Sequence, residues 1–174
     1  MRTKIFRLGI LISGLIEPNS RNHLKIGTPG LEDQTAIMLE GLGNAWGSLG
    51  DYQKKRDLYT QALEIKEKHY GKDHPETGST LENLGSALGS LGDYEKATIL
   101  LTRALEINEK HYGKDHPQTS TTLTNLGNAW GELGDYEKKK DLLTRAFEIK
   151  EKHYGKDHPE TAITLANLEM HGDL

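Results

Sequence analysis

The stretch NLGNAWGELGDYEKKKDLLTRAFEI, Asn125 to Ile149, has two near-copies upstream: GLGNAWGSLGDYQKKRDLYTQALEI at 41–65 and NLGSALGSLGDYEKATILLTRALEI at 83–107. The spacing is 42 residues each time, set by the string LGDY around Asp51, Asp93 and Asp135. A second string, HYGKDHP, recurs in the same register at His69–Pro75, His111–Pro117 and His153–Pro159. Self-similarity at a fixed period of this length marks a repeat array, in which each unit hides its apolar face against its neighbours. The period holds from about residue 33 to residue 168.

One unit reads as a pair of helices. Pro75 suits a first helical turn, where its missing N–H is not needed. Leu81, Leu84, Leu88 and Leu91 then recur at helical spacing. Gly92 can end this first helix, helix A, in a left-handed conformation, and Asp93 can cap the next. Tyr94, Ala97, Leu101, Ala104, Leu105 and Ile107 form the apolar face of a second helix, helix B, with Glu106 and Lys110 paired at i, i+4 outside. Gly113 stops helix B, and KDHP leads into the next unit. The expected organisation is a non-repeat segment at 1–30, repeats at 31–74, 75–116 and 117–158, and the first helix of a fourth at 159–174.

The segment EGLGNAWGSLGDY (40–52) carries four glycines and resembles the opening of a dinucleotide-binding turn. That reading fails: Trp46 stands where the third fingerprint glycine belongs, no strand precedes, and Gly41 becomes Asn83 and Asn125 in the other units. Gly43, Gly85 and Gly127 instead sit beside the apolar stripe, where a small residue lets helix B approach. A mid-helix glycine costs roughly 0.5–1 kcal/mol relative to alanine, which close packing must offset. Gly47, Gly89 and Gly131 fall on another face. Two readings stand for them: they keep a groove open, or they only loosen helix A.

Composition agrees with a thin array. Hydrophobic residues make up 34% and charged residues 28% of the 174, with a net charge of −4. That is low for a compact globule but adequate for stacked hairpins. The slightly acidic balance argues against nucleic acid as a partner. The absence of cysteine excludes disulfides and Cys-ligated metal sites and fits a reducing compartment; a cytoplasmic location is the expectation.

The leucine–glycine pair at Leu126-Gly127, the large Trp130, the GDY and the small Ala146 stand at the signature spacing of the tetratricopeptide repeat, which the chain resembles. The 42-residue period and the GKDHP linker resemble the longer repeats of kinesin light chain and nephrocystin-3-like proteins. The resemblance implies an all-α, right-handed solenoid of stacked antiparallel helix pairs, with helices A lining a concave face that binds peptides or helices. One departure is at Lys55 and Lys139, where the family usually has the alanine kept at Ala97. A lysine there must lay its stem on apolar surface and push its amine out.

On that arrangement the groove is expected to present Glu40, Asn44, Glu82, Asn83, Ser86, Thr124, Asn125, Asn128, Ala166 and Asn167. An asparagine offers both donor and acceptor and can satisfy a peptide backbone without reading its side chains; the alternative is that these asparagines satisfy only helix ends or water. Across 33–49, 75–91, 117–133 and 159–174 there is no Lys or Arg. The groove should therefore be neutral to acidic and prefer neutral or basic protein segments over acidic ones.

No catalytic residue, cofactor or metal is expected. The pairs His69/His74, His111/His116 and His153/His158 span a glycine turn and do not share a helix face. Asp73, Asp115 and Asp157 are read as turning the chain into the next helix, with the histidines packing or hydrogen-bonding at that corner. Residues 8–16 form an apolar run after three basic residues, too short to span a bilayer and followed by Glu17-Pro18 rather than a cleavage site; a short capping helix with 17–30 as linker is the preferred reading. Three repeats lie at the lower limit for a stable array, and open ends favour self-association. The leading function is a non-catalytic interaction scaffold. The alternative is a regulatory or sensor fragment of a larger nucleotide-driven switch protein, acting by self-association or intramolecular docking.

Overall fold

The computed structural model describes residues 31–169. Among them are seven α-helices and no strand: α1 Leu31–Ser48, α2 Tyr52–Tyr70, α3 Pro75–Ser90, α4 Tyr94–Tyr112, α5 Pro117–Glu132, α6 Tyr136–Tyr154 and α7 Pro159–Glu169. Helices α1, α3, α5 and α7 are the A helices, and α2, α4 and α6 the B helices. The segment 1–30, with its expected capping helix, lies outside the described residues.

Each boundary has a local cause. The Asp51, Asp93 and Asp135 side chains accept from the backbone N–H of Lys54, Lys96 and Lys138 at 3.0, 3.4 and 3.1 Å, capping the B helices. The turn before each cap needs one left-handed residue; Gly92 supplies it at φ +79°, a region that a Cβ disfavours. At the caps of α3, α5 and α7 the histidines hydrogen-bond at the corner, as the sequence reading expects, and their role there is to cap the helix. His74, His116 and His158, rather than the preceding aspartates, accept the orphan N–H of Glu76, Gln118 and Glu160 through Nδ1 at 3.2, 3.1 and 3.2 Å. Each capping ring stacks on the tyrosine that ends the previous helix, His74 on Tyr70 at 4.6 Å between centroids. The first histidine of the motif reaches back a whole repeat: the ring Nε2 atoms of His111 and His153 lie 2.9 Å from the carbonyl oxygens of Asp73 and Asp115.

Packing follows the repeat. Within the second and third units A lies on B through Leu81, Ala104 and Ile107, then through Leu123, Ala146 and Ile149, all buried. A larger cluster of Tyr59, Leu84, Leu88, Ala97, Leu101, Leu126 and Ala129 runs across units and welds them together. Gly85 and Gly127 are buried at the A–B contact. A Cβ on Gly85 would stand 2.7 Å from Leu101 Cγ, and one on Gly127 3.2 Å from Leu143 Cγ. Each B helix also packs on the next A helix, and α3 meets α5 directly, more than α4 meets α6. In the middle of the array the A helices α3 and α5 thus approach each other more closely than the B helices α4 and α6, the relation expected of an inner curve.

Candidate functional site

The inner face is built in layers, starting with a polar seam between repeats. In the first unit Lys66, 2% exposed, sends its ammonium to Glu40 at 3.0 Å and to Glu76 of the next A helix at 2.9 Å. Burial works against that charge, but the two carboxylates outweigh it and the ammonium's pKa is raised. Thr80 also donates to Glu40, at 2.5 Å. The third unit repeats the device: Lys150, 3% exposed, donates to Glu160 and to Thr164 Oγ1, each at 3.1 Å.

The second unit breaks the pattern. Asn108 stands where Lys66 and Lys150 stand, and donates to Thr122 Oγ1 at 2.9 Å. Thr122 in turn donates to Glu82 at 2.8 Å, joined by Gln118 at 3.2 Å and Asn125 at 3.4 Å. Glu82 is 8% exposed and its seam holds no buried lysine. Burial pushes its carboxyl above the ordinary carboxylate range, against the pull of the Thr122 and Gln118 hydrogen bonds.

The sequence-selected residues therefore separate into two groups. Glu82 and Thr124 are buried; Glu82 serves the seam, and Thr124 Oγ1 donates back to Ser120 O of its own helix at 2.9 Å. Glu40 is half-buried and engaged by Lys66 and Thr80. Asn44 accepts from the Tyr59 hydroxyl at 2.8 Å, and burial, with Glu40 nearby, pushes that phenol up to about 12. Asn83 donates to Ser79 O of its own helix at 3.0 Å. Ser86, Asn83, Asn125, Asn128 and Asn167 are partly exposed, as is Asn44 more fully. Ala166 is exposed.

A notch of about 280 Å³ lies among α3, α4 and α5, walled by Gly85, Gly89, Ala97 and Ala129 and rimmed by Asn125, Asn128 and Glu132. The second glycine series explains it. Over Gly47 and Gly131 lie the stems of Lys55 and Lys139: a Cβ would stand 2.8 and 2.6 Å from their Cδ atoms. Both ammonium groups are made less basic by burial. Gly89 faces Ala97 instead, and a Cβ there would have nothing within 4 Å. The open-groove reading of this series thus fits the middle unit alone; in the outer units glycine admits a lysine stem, a role the sequence reading did not include. The charged seam was missed from sequence; the signal was a polar residue at 66, 108 and 150, at the repeat spacing, on a face otherwise apolar.

Among the described residues no three His, Asp, Glu or Cys side chains come together as a metal site, and no helix is long and apolar enough to cross a membrane.

Stacked A–B hairpins whose A helices carry a polar inner face define an all-α repeat solenoid. The sequence profile of the tetratricopeptide repeat matches residues 34–110 and 91–152, and the chain belongs to that family. Among solved structures it is similar to a putative kinesin light chain of Podospora anserina with nearly identical TPR-like repeats, at TM-score 0.73 and 21% identity over 80% of this chain and 65% of that one. It is also similar to BtubC (BKLC) of P. vanneervenii, at TM-score 0.67 and 26% identity over 90% and 57%. A third is the first TPR of Spaghetti (RPAP3) bound to the HSP90 peptide SRMEEVD, at TM-score 0.59 and 20% identity over 79% and 93%. The chain thus spans less than two thirds of the length of the first two. No curated protein sequence matches it.

Proposed function

We propose that this chain is a non-catalytic scaffold that holds a protein segment along the face formed by α1, α3, α5 and α7, and that it selects neutral or basic segments. The observation that carries the reading is the charge of that face. Its helices have no Lys or Arg, while Glu132 is exposed and Glu40 half-buried on it. An acidic segment would meet carboxylates with no cation on the A helices to pair with, and like charges at short range are repulsive. The half-exposed Asn83, Asn125 and Asn128 supply paired donors and acceptors for a backbone.

The Spaghetti repeat was solved with SRMEEVD, a peptide with three acidic residues. That relative supports peptide binding on this fold; the charge of the present face argues for a different ligand class. A cytoplasmic setting fits the absence of cysteine and is part of the proposal.

Calorimetric titration with length-matched acidic and basic peptides tests the selection. The expected result is measurable affinity for the basic peptide, weakened by salt and by Asn125→Ala. Tighter binding of the acidic peptide would overturn it.

A further inference from the structure

The array supplies its own evidence for what fits over Gly89. In the first and third units the equivalent space holds an unbranched cationic side chain, whose methylenes lie on Gly47 and Gly131. Lys139 is 7% exposed, so the space buries nearly a whole lysine side chain. In the second unit the residue at that position is Ala97, and the space is an open notch of about 280 Å³.

The notch shares the glycine floor of its filled counterparts. Its floor is Gly85 and Gly89 backbone, its walls are Ala97, Leu101 and Ala129, and its rim carries Glu132. Glu132 also acts on Lys139 in its own hairpin, where its charge offsets part of the effect of burial. Asn125 and Asn128 stand at the same rim, placed to bond the backbone from which an inserted side chain would hang. Branched or aromatic side chains find no precedent in either filled copy.

We infer that the notch between α3 and α5 receives a lysine side chain from the bound partner, its stem over Gly89 and Ala97 and its ammonium toward Glu132. This rests on the groove reading above and deepens it: the middle repeat reads a lysine, while the outer repeats fill the same space themselves.

The plug variant Ala97→Lys tests this directly. Lys55 and Lys139 show that the fold accepts lysine at this position, and thermal melting checks it. The probes are acetylated, amidated seven-residue Gly/Ser peptides with Lys, norleucine, Glu or Gly at the centre, titrated into the ¹⁵N-labelled full chain. Burial of about two methylenes at ~0.8 kcal/mol each makes the Lys peptide about tenfold tighter than the Gly peptide. Its shifts should fall at Gly89, Asn125 and Asn128. Norleucine should keep part of the gain, and Glu132→Gln should weaken only the Lys peptide, by about threefold. Ala97→Lys should erase the difference between Lys and Gly.

Equal binding of the Lys and Glu peptides, or an unchanged Lys preference in Ala97→Lys, overturns the inference. If the peptides move A-helix residues regardless of the central side chain, the groove stands and the lysine notch falls. If none moves an A-helix residue, both fall.

Discussion

At the residue scale, two glycines on one helix make opposite demands. Gly85 is pressed by Leu101, which is 1% exposed and has no room to yield. Gly85→Ala gains the usual helix propensity of about 0.5–1 kcal/mol but forces a clash that costs ~1–3 kcal/mol. A net loss of about 1 kcal/mol is expected. Gly89 has no neighbour within 4 Å, so Gly89→Ala should gain about 0.5–1 kcal/mol. Urea melts of the two variants should move in opposite directions from the parent; a shift of the same sign would refute the packing assignment. The first of these roles was legible in sequence, because Gly85 sits beside a leucine stripe at a fixed register. The second stood only as one of two alternatives, because whether glycine opens or admits depends on a residue across the hairpin, Ala97 or a lysine.

At the element scale, adjacent repeats are joined by polar seams that differ in charge. Lys66 and Lys150 neutralise theirs, whereas the seam of Asn108 leaves Glu82 buried without such a partner. Asn108→Lys should copy the outer seams and stabilise the chain by about 1–2 kcal/mol at neutral pH. The sign with pH is fixed by Glu82. In the parent its folded pKa is raised, so its favourable contribution is complete only below the unfolded carboxylate value and is lost as pH rises through the folded one. A lysine beside it lowers that folded pKa, so the gain in the variant is present at pH 7 and fades as Glu82 protonates in acid. Urea melts at pH 7 and pH 4 check this; a gain larger at pH 4 would contradict it. The hairpins, the aspartate caps and the glycine turns were all readable from 42-residue spacing and residue type. The seam was not, because it joins positions 40 residues apart, such as Thr80 with Glu40, that only the stacking of units brings together. The corner histidines were legible as packing or hydrogen-bonding groups, but their capping role was not, because it depends on stacking against a tyrosine four residues earlier.

At the scale of the molecule, stability is the sum of units and the contacts between neighbours. Its last described helix, α7, exposes Ile163 at 56% and Leu165 at 37%. Self-association through this exposed apolar pair is expected, visible in sedimentation velocity as a weight-average mass that rises with concentration. Ile163→Lys with Leu165→Lys should hold the chain monomeric at concentrations where the parent associates. A parent that is monomeric throughout would show that this surface does not drive assembly.

In the proposed function the A helices form one binding surface, neutral to acidic, that prefers basic segments. Chemical-shift mapping of the labelled chain against a basic and an acidic peptide of equal length tests it most directly. The basic peptide should shift the amides of Ser86, Asn125 and Asn128 on α3 and α5, with the acidic peptide leaving them in place. Stronger shifts from the acidic peptide, or shifts confined to α2, α4 and α6, would contradict it.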